Sequence, residues 1–237
     1  MPDSTGQTQT PTSLASPTPI IMADNPFPPN KPRPLIHING YPGVGKLTVA
    51  RALVALFRSH NLSARLVENH LLIDPADAVL KRTEHGYQKV RRALRFALFE
   101  TLSEIKATHD NVYIFTDSQG TDIVGSSTCA EYICAARHRR CDLVSVVLSC
   151  DEATNLERLG SEERSARGDK LVDASLLKKL RAKTQIYRFT DMAVAGDTLE
   201  VDANRLSPEQ AAMEIFRHVL EACSEVKSDV SDCPETK

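Results

Sequence analysis

Three groups of residues in this sequence have the types and spacing needed for chemistry on phosphate. The first is Gly40-Tyr-Pro-Gly-Val-Gly45-Lys46-Leu47-Thr48, which fits the pattern G-x-x-x-x-G-K. Glycine backbones turn tightly and aim successive N–H groups at one point, making a nest for phosphate oxygens. A helix beginning there adds the positive end of its dipole. Lys46 reaches the β- and γ-phosphates of a nucleoside triphosphate. Gly40, Tyr41, Pro42, Gly43, Val44, Gly45, Lys46, Leu47 and Thr48 are therefore the candidate nucleotide contacts. The second group is Val112-Tyr-Ile-Phe-Thr-Asp117, an apolar run ending in a carboxylate, with Gln119 and Gly120 beyond it. Asp117 could hold the water shell of Mg²⁺, accept a proton from a substrate hydroxyl, or simply complete a turn with Ser118 and Gly120. The third group is Arg158, Arg164 and Arg167. Phosphoryl transfer asks for positive charge around the moving group rather than covalent help. Arginines on a mobile lid would supply it. The competing reading is a solvated charged helix, because Glu157, Glu162 and Glu163 are interleaved with them.

One position departs from the usual phosphate loop. The residue after the lysine, where a Ser or Thr hydroxyl would bind Mg²⁺, is Leu47, and Thr48 follows one place late. Either Thr48 approaches the metal, or Asp117 and water hold it, or catalysis is weakened. Candidate acceptor-binding residues are His70 and Asp74, four apart and able to converge on a hydroxyl as general base and orienter. The plainer readings are a turn or core histidine, and an N-cap for a short helix starting at Pro75. Arg91 and Arg95 share one helical face and suit either an anionic acceptor or a solvated basic surface.

Alternating elements must position these groups. Short strands are predicted at Leu35–Asn39, Ala64–Val67, Val112–Thr116, Leu143–Ser149 and Thr198–Val201. Helices are predicted at Leu47–Ser59, Tyr87–Ala107, Asp122–Arg137, Glu152–Leu159, Ala174–Phe189 and Pro208–Cys223. The run Leu143–Ser149 is apolar throughout, as in a strand buried on both faces. The pattern predicts an α/β fold, a three-layer α/β/α sandwich around a five-stranded parallel sheet.

Composition limits the alternatives. The chain has 237 residues and a net charge of −2, which gives no bulk basicity for nucleic acid. No apolar run approaches the roughly 20 residues of a membrane span. Nine of the 13 prolines fall in the first 34 residues, so residues 1–33 are expected to form a disordered Pro/Ser/Thr-rich tail. Residues 34–223 are expected to form the domain, with a lid near 158–171, and residues 224–237 a second tail. No Arg or Lys precedes Lys31, which argues against a mitochondrial presequence. The six cysteines include no Cys-x-x-Cys pair, so no zinc site is read. A cytoplasmic location is the expectation.

The loop Gly40–Thr48, the strand ending at Asp117 and the arginine-rich stretch after Leu143–Ser149 together resemble the P-loop small-molecule and nucleoside-monophosphate kinases, over roughly residues 35–220. That superfamily includes adenylate, shikimate and gluconate kinases and chloramphenicol phosphotransferase. The resemblance implies ATP and Mg²⁺ as cofactors, with Thr48 and Asp117 as the metal-side residues. It also implies Arg158 near the base, Arg164 and Arg167 near the phosphates, and Gln119 in the acceptor cleft. The implied activity is transfer of the γ-phosphoryl group to a hydroxyl or phosphate of a small molecule. The alternative is a nucleoside triphosphatase, or an ATP-binding module with weak catalysis. The absence of an Asn-Lys-x-Asp guanine signature favours ATP.

Overall fold

The computed structural model describes residues 31–159, 173–189 and 194–231. Strands β1 (Leu35–Asn39), β2 (Ala64–Glu68), β3 (Val112–Thr116), β4 (Leu143–Ser149) and β5 (Leu199–Asp202) form one sheet in the order β2-β3-β1-β4-β5. All four pairings are parallel, as the alternation of strands and helices requires. β1 lies at the centre, and all five of its residues are buried.

Eight helices occur among the described residues: α1 (Lys46–Ser59), α2 (His70–Asp77), α3 (Tyr87–Glu104), α4 (Ile123–Arg139), α5 (Glu152–Leu159), α6 (Ala174–Lys183), α7 (Pro208–Ala222) and α8 (Ser224–Ser231). In α1 the buried residues Val49, Ala50, Leu53, Val54 and Phe57 recur three or four apart and form one stripe. That stripe packs with Ala211, Ile215, Phe216 and Val219 of α7 on one face of the sheet. The Phe57 and Phe216 rings meet edge to face at 5.0 Å. Phe99 and Leu102 of α3 and Cys129, Tyr132, Ile133 and Ala136 of α4 cover the other face. The α/β/α sandwich is complete.

Local signals fixed most boundaries. Ser207 and Gln210 form a reciprocal capping box ahead of α7, with Pro208 at its start. Asp122 caps α4 by accepting from the amides of Val124 and Gly125. Three boundaries are corrected. The helix from Tyr87 ends at Glu104, ahead of a 3₁₀ turn at Lys106–Thr108. The helix from Ala174 stops at Lys183, because residues 185–187 bond to the loop after β3: Thr121 N–H donates to Gln185 O, and Tyr187 N–H to Gln119 O. The segment from Ser224, expected as tail, is α8 as far as Ser231, and it buries Val226 completely. Ahead of β1, Lys31 pairs with Asp142 and Glu225, and Arg33 pairs with Asp229 and donates to the Glu225 carbonyl. No described helix is long and apolar enough to cross a membrane.

The opposite end of the sheet from the strand C-termini is held by Arg139, 2% exposed. Its guanidinium donates to the carbonyls of Leu102, Thr108, Asn111 and Arg33. One side chain thereby joins the end of α3, the 3₁₀ turn Lys106–Thr108, the start of β3 and the approach to β1.

Candidate functional site

The C-terminal ends of the parallel strands share one edge, where a cleft of about 680 Å³ opens. Its floor is the loop between β1 and α1. Gly40 has φ +155°, and a Cβ there would lie 2.4 Å from the Leu148 carbonyl oxygen. Gly43 has φ +87°, and a Cβ there would lie 2.9 Å from Asn155 Nδ2. Only glycine lets the loop turn this close to β4 and α5. Lys46 curls back over the loop and donates to the carbonyls of Gly40, at 2.7 Å, and Tyr41, at 2.8 Å. Leu47 is half-buried and Thr48 exposed, and both line the cleft.

The loop is braced by residues the sequence reading passed over. Asn155 Nδ2 donates to Pro42 O at 2.8 Å. Asn155 Oδ1 accepts from Arg181 Nη1 at 2.9 Å. The Arg181 guanidinium lies over the Tyr41 ring, 4.8 Å from its centroid, and the Tyr41 hydroxyl donates to Thr184 O at 2.7 Å. α5 and α6 are both fastened to the phosphate loop in this way. These contacts span more than 25 residues of sequence and carry no local signal.

Beside the loop, Asp117 ends β3 and is 2% exposed. Its Oδ1 accepts from Asn69 Nδ2, the Ser118 amide and Gln119 Nε2. Its Oδ2 accepts from the Tyr132 hydroxyl and lies 3.9 Å from His37 Nε2, too far for a hydrogen bond. Burial opposes ionisation of this carboxyl. The His37 imidazole, the Ser118 amide and Arg91 outweigh burial and hold it below the usual carboxylate range. The same burial, with the Asp117 charge beside it, pushes the Tyr132 hydroxyl well up.

On the β2–β3 side the cleft is polar. Glu68, Asn69, His70, Arg82, Arg91, Ser118 and Gln119 line it. His70 Nδ1 lies 3.2 Å from Asp74 Oδ1, so this pair converges as its spacing suggested, although Asp74 itself does not line the cleft. Asp74 does not cap a helix at Pro75. α2 starts at His70 and runs through Pro75, whose missing amide falls in a helix of only eight residues. Arg95 is corrected as an acceptor contact: it is 4% exposed and donates through Nε and Nη2 to both carboxylate oxygens of Glu131 on α4. The long helix turns Arg95 into its interface with α4 and leaves Arg91 to the cleft, where Arg91 Nη2 donates to Asn69 Oδ1 at 2.9 Å. Glu68, Asn69 and Arg82 were missed in the sequence. The signal available was the end of β2, one strand away from Asp117.

On the β4–β5 side the lining is apolar, from Leu176 and Leu180 of α6 and Ala203, Leu206, Pro208 and Ala211 after β5. Arg158 crosses this end, with Nη1 donating to Val44 O at 3.2 Å and Nη2 to Ala203 O at 3.0 Å. Arg164, Arg167 and most of the expected lid lie outside the described residues.

Solved structures share this architecture. A candidate kinase from Chloroflexus aurantiacus matches with a TM-score of 0.58 at 15% identity, over 81% of this chain and 98% of that one. A sugar kinase from a Janibacter species matches at 0.50 and 17%, over 82% and 98%. An APS kinase from Mycobacterium tuberculosis, in complex with AMPPNP and APS, matches at 0.50 and 16%, over 80% and 98%. At these identities the likeness is one of fold. No curated protein matches the chain in sequence. The AAA domain family model matches residues 36–179, more than half of the chain and the whole stretch from the phosphate loop through Asp117 to α6, and the chain belongs to that family, with the fold of the P-loop kinases.

Proposed function

We propose that this protein transfers the γ-phosphoryl group of ATP to a hydroxyl or phosphate of a small molecule. The observation that carries this reading is the two-sided cleft. The glycine loop and Lys46 sit at its middle, an apolar end suits a flat base, and a polar chamber offers room for a second substrate beyond the terminal phosphate. A site that only held nucleotide would not require that chamber.

In this reading the amides of the glycine loop and the N-terminus of α1 bind the phosphates. Lys46 exchanges its two carbonyl partners for phosphate oxygens. Arg158 lies beside the base. Asp117, with both oxygens already accepting from protein donors, positions Asn69 and Gln119 rather than taking a proton. His70 is the better base: Asp74 beside Nδ1 fixes the ring and leaves Nε2 for the acceptor hydroxyl. Arg164 and Arg167 supply charge to the moving group.

Mg²⁺ needs oxygen ligands in octahedral geometry and keeps several waters. The donor set fits such an ion through the nucleotide phosphates, the exposed Thr48 hydroxyl and water, with Asp117 behind them. When bound, Mg²⁺ neutralises phosphate charge.

The experiment is ADP formation measured with Mg²⁺ and ATP against a panel of small alcohols, sugars, hydroxy acids and nucleoside monophosphates. One class of acceptor should raise ADP formation well above the acceptor-free rate. Equal rates with and without every acceptor would favour a triphosphatase instead.

A further inference from the structure

A phosphate site made of backbone amides works only if the carbonyls between them point away from the anion. In a trans peptide the C=O of one residue and the N–H of the next lie in one plane and point in opposite directions. Every described peptide of this chain is trans. Whatever holds a loop carbonyl outward therefore aims the following amide inward. Among the described residues, no side chain caps α1, whose N-cap is Gly45 at φ +102°. The amides at its start are left for an anion.

Four carbonyls of the loop are held by side-chain donors. Lys46 takes Gly40 O and Tyr41 O, Arg158 Nη1 takes Val44 O, and Asn155 Nδ2 takes Pro42 O at 2.8 Å. The peptides Pro42–Gly43 and Val44–Gly45 are thereby turned with the Gly43 and Gly45 amides on the opposite side. Asn155 is fully buried, and its amide can hold Pro42 only one way round, because its own oxygen would repel the carbonyl. Arg181 sets which way round. A guanidinium has donors and no acceptor, so Arg181 Nη1 takes Asn155 Oδ1 at 2.9 Å and leaves Nδ2 for Pro42. Arg181 is itself fixed. Its Nη2 donates to Cys150 O at 3.2 Å, and its Cζ lies 4.8 Å from the centroid of the Tyr41 ring.

Resting on the nucleotide-binding reading above, we infer that Arg181 is a positioning residue for the triphosphate, acting through Asn155, whose orientation keeps the Gly43 amide aimed at the anion. Loss of Arg181 frees the Asn155 amide to turn over. Two oxygens then face each other, and the Pro42–Gly43 peptide rotates away from its working direction. The loss falls on the phosphate chain and is the same whatever base the chain carries.

The test is a double-mutant cycle on the full chain with Mg²⁺ present, at a temperature where melts show each variant folded. It reads affinity for a fluorescent ATP analogue and displacement of that analogue by inorganic tripolyphosphate. Arg181→Met should weaken both by about tenfold or more, the worth of one hydrogen bond to a charged group. Asn155→Leu should weaken both by at least as much. The double variant should bind no more weakly than Asn155→Leu alone, because Arg181 then has nothing to orient. Additive losses overturn the inference, since Arg181 would then act on its own. Unchanged affinity in Arg181→Met overturns it too, as does a loss for the analogue that tripolyphosphate does not share. Asn155→Asp keeps the shape and an oxygen for Arg181, and stands in if Asn155→Leu does not fold. It presents an acceptor to Pro42 O, so affinity equal to the wild type's would overturn the inference. A wild type that binds neither probe removes the nucleotide reading itself, and the inference with it.

Discussion

Asn39 and Gln119 are joined twice, once in each direction. Asn39 Nδ2 donates to Gln119 O at 2.9 Å, and Gln119 N–H donates to Asn39 Oδ1 at 2.8 Å. The same Oδ1 accepts from the Gly40 amide, and the same Nδ2 donates to Tyr187 O. One buried side chain fixes the start of the phosphate loop against the loop after β3. Asn39→Ala strands two buried amides and two carbonyls. Its expected cost is about 2–3 kcal/mol in denaturant unfolding, with a parallel loss of nucleotide affinity. A melt shifted without any change in affinity would show that the loop is held by other contacts.

Lys46→Ala should leave the fold in place, since Lys46 lies at the cleft wall and donates to two carbonyls of its own loop. Affinity for an ATP analogue, measured by calorimetric titration, should fall about 10- to 100-fold. Unchanged affinity would remove Lys46 from the phosphate site.

Arg95→Met separates two readings of α3. Among the described residues it leaves Glu131, whose side chain is 16% exposed, with Arg92 at 3.5 Å as its one cationic partner. Stability should drop by about 3 kcal/mol, while the KM for an identified acceptor stays unchanged. A raised acceptor KM with normal stability would return Arg95 to the cleft.

Asp117 gives stability a pH dependence of known sign. Its folded carboxyl sits below the ordinary value of about 3.9. The stability it contributes is therefore fully present above that value and is lost as pH falls through the lower folded value. The stability advantage of the wild type over Asp117→Asn should narrow as pH falls below about 4. A gap that widens on acidification would contradict the depressed carboxyl.

Leu47→Ser places a hydroxyl on the cleft wall directly after the lysine. The Mg²⁺ concentration for half-maximal turnover should fall a few-fold, by roughly the worth of one added oxygen ligand. No change would indicate that Thr48 already serves the ion.

The parts legible in the sequence were those with local causes. The glycine spacing, the apolar strands, the stripe of α1 and the Ser207–Pro208 start of α7 follow from backbone conformation and periodicity within a few residues. What could not be read depends on distant partners. Nothing around Arg95 says that Glu131 will face it, or that Arg91, one turn earlier, will face the cleft instead. Pro75 suggested a helix start, but tertiary packing of Leu72, Ile73 and Ala76 carried α2 through it. α8 looked like a polar tail because its stabilisation rests on one buried Val226 and on Lys31 and Arg33 from the far end of the chain.

The Arg139 junction closes the sheet at the pole farthest from the cleft. Because it holds four separate segments through their carbonyls, it would be among the last places to open. Amide hydrogens near it should exchange only when the whole chain unfolds, while the cleft loops exchange through smaller openings. Durability and chemistry are thus assigned to opposite ends of the same strands. Substitutions in the cleft can accumulate at one end, provided the arginine at the other stays in place.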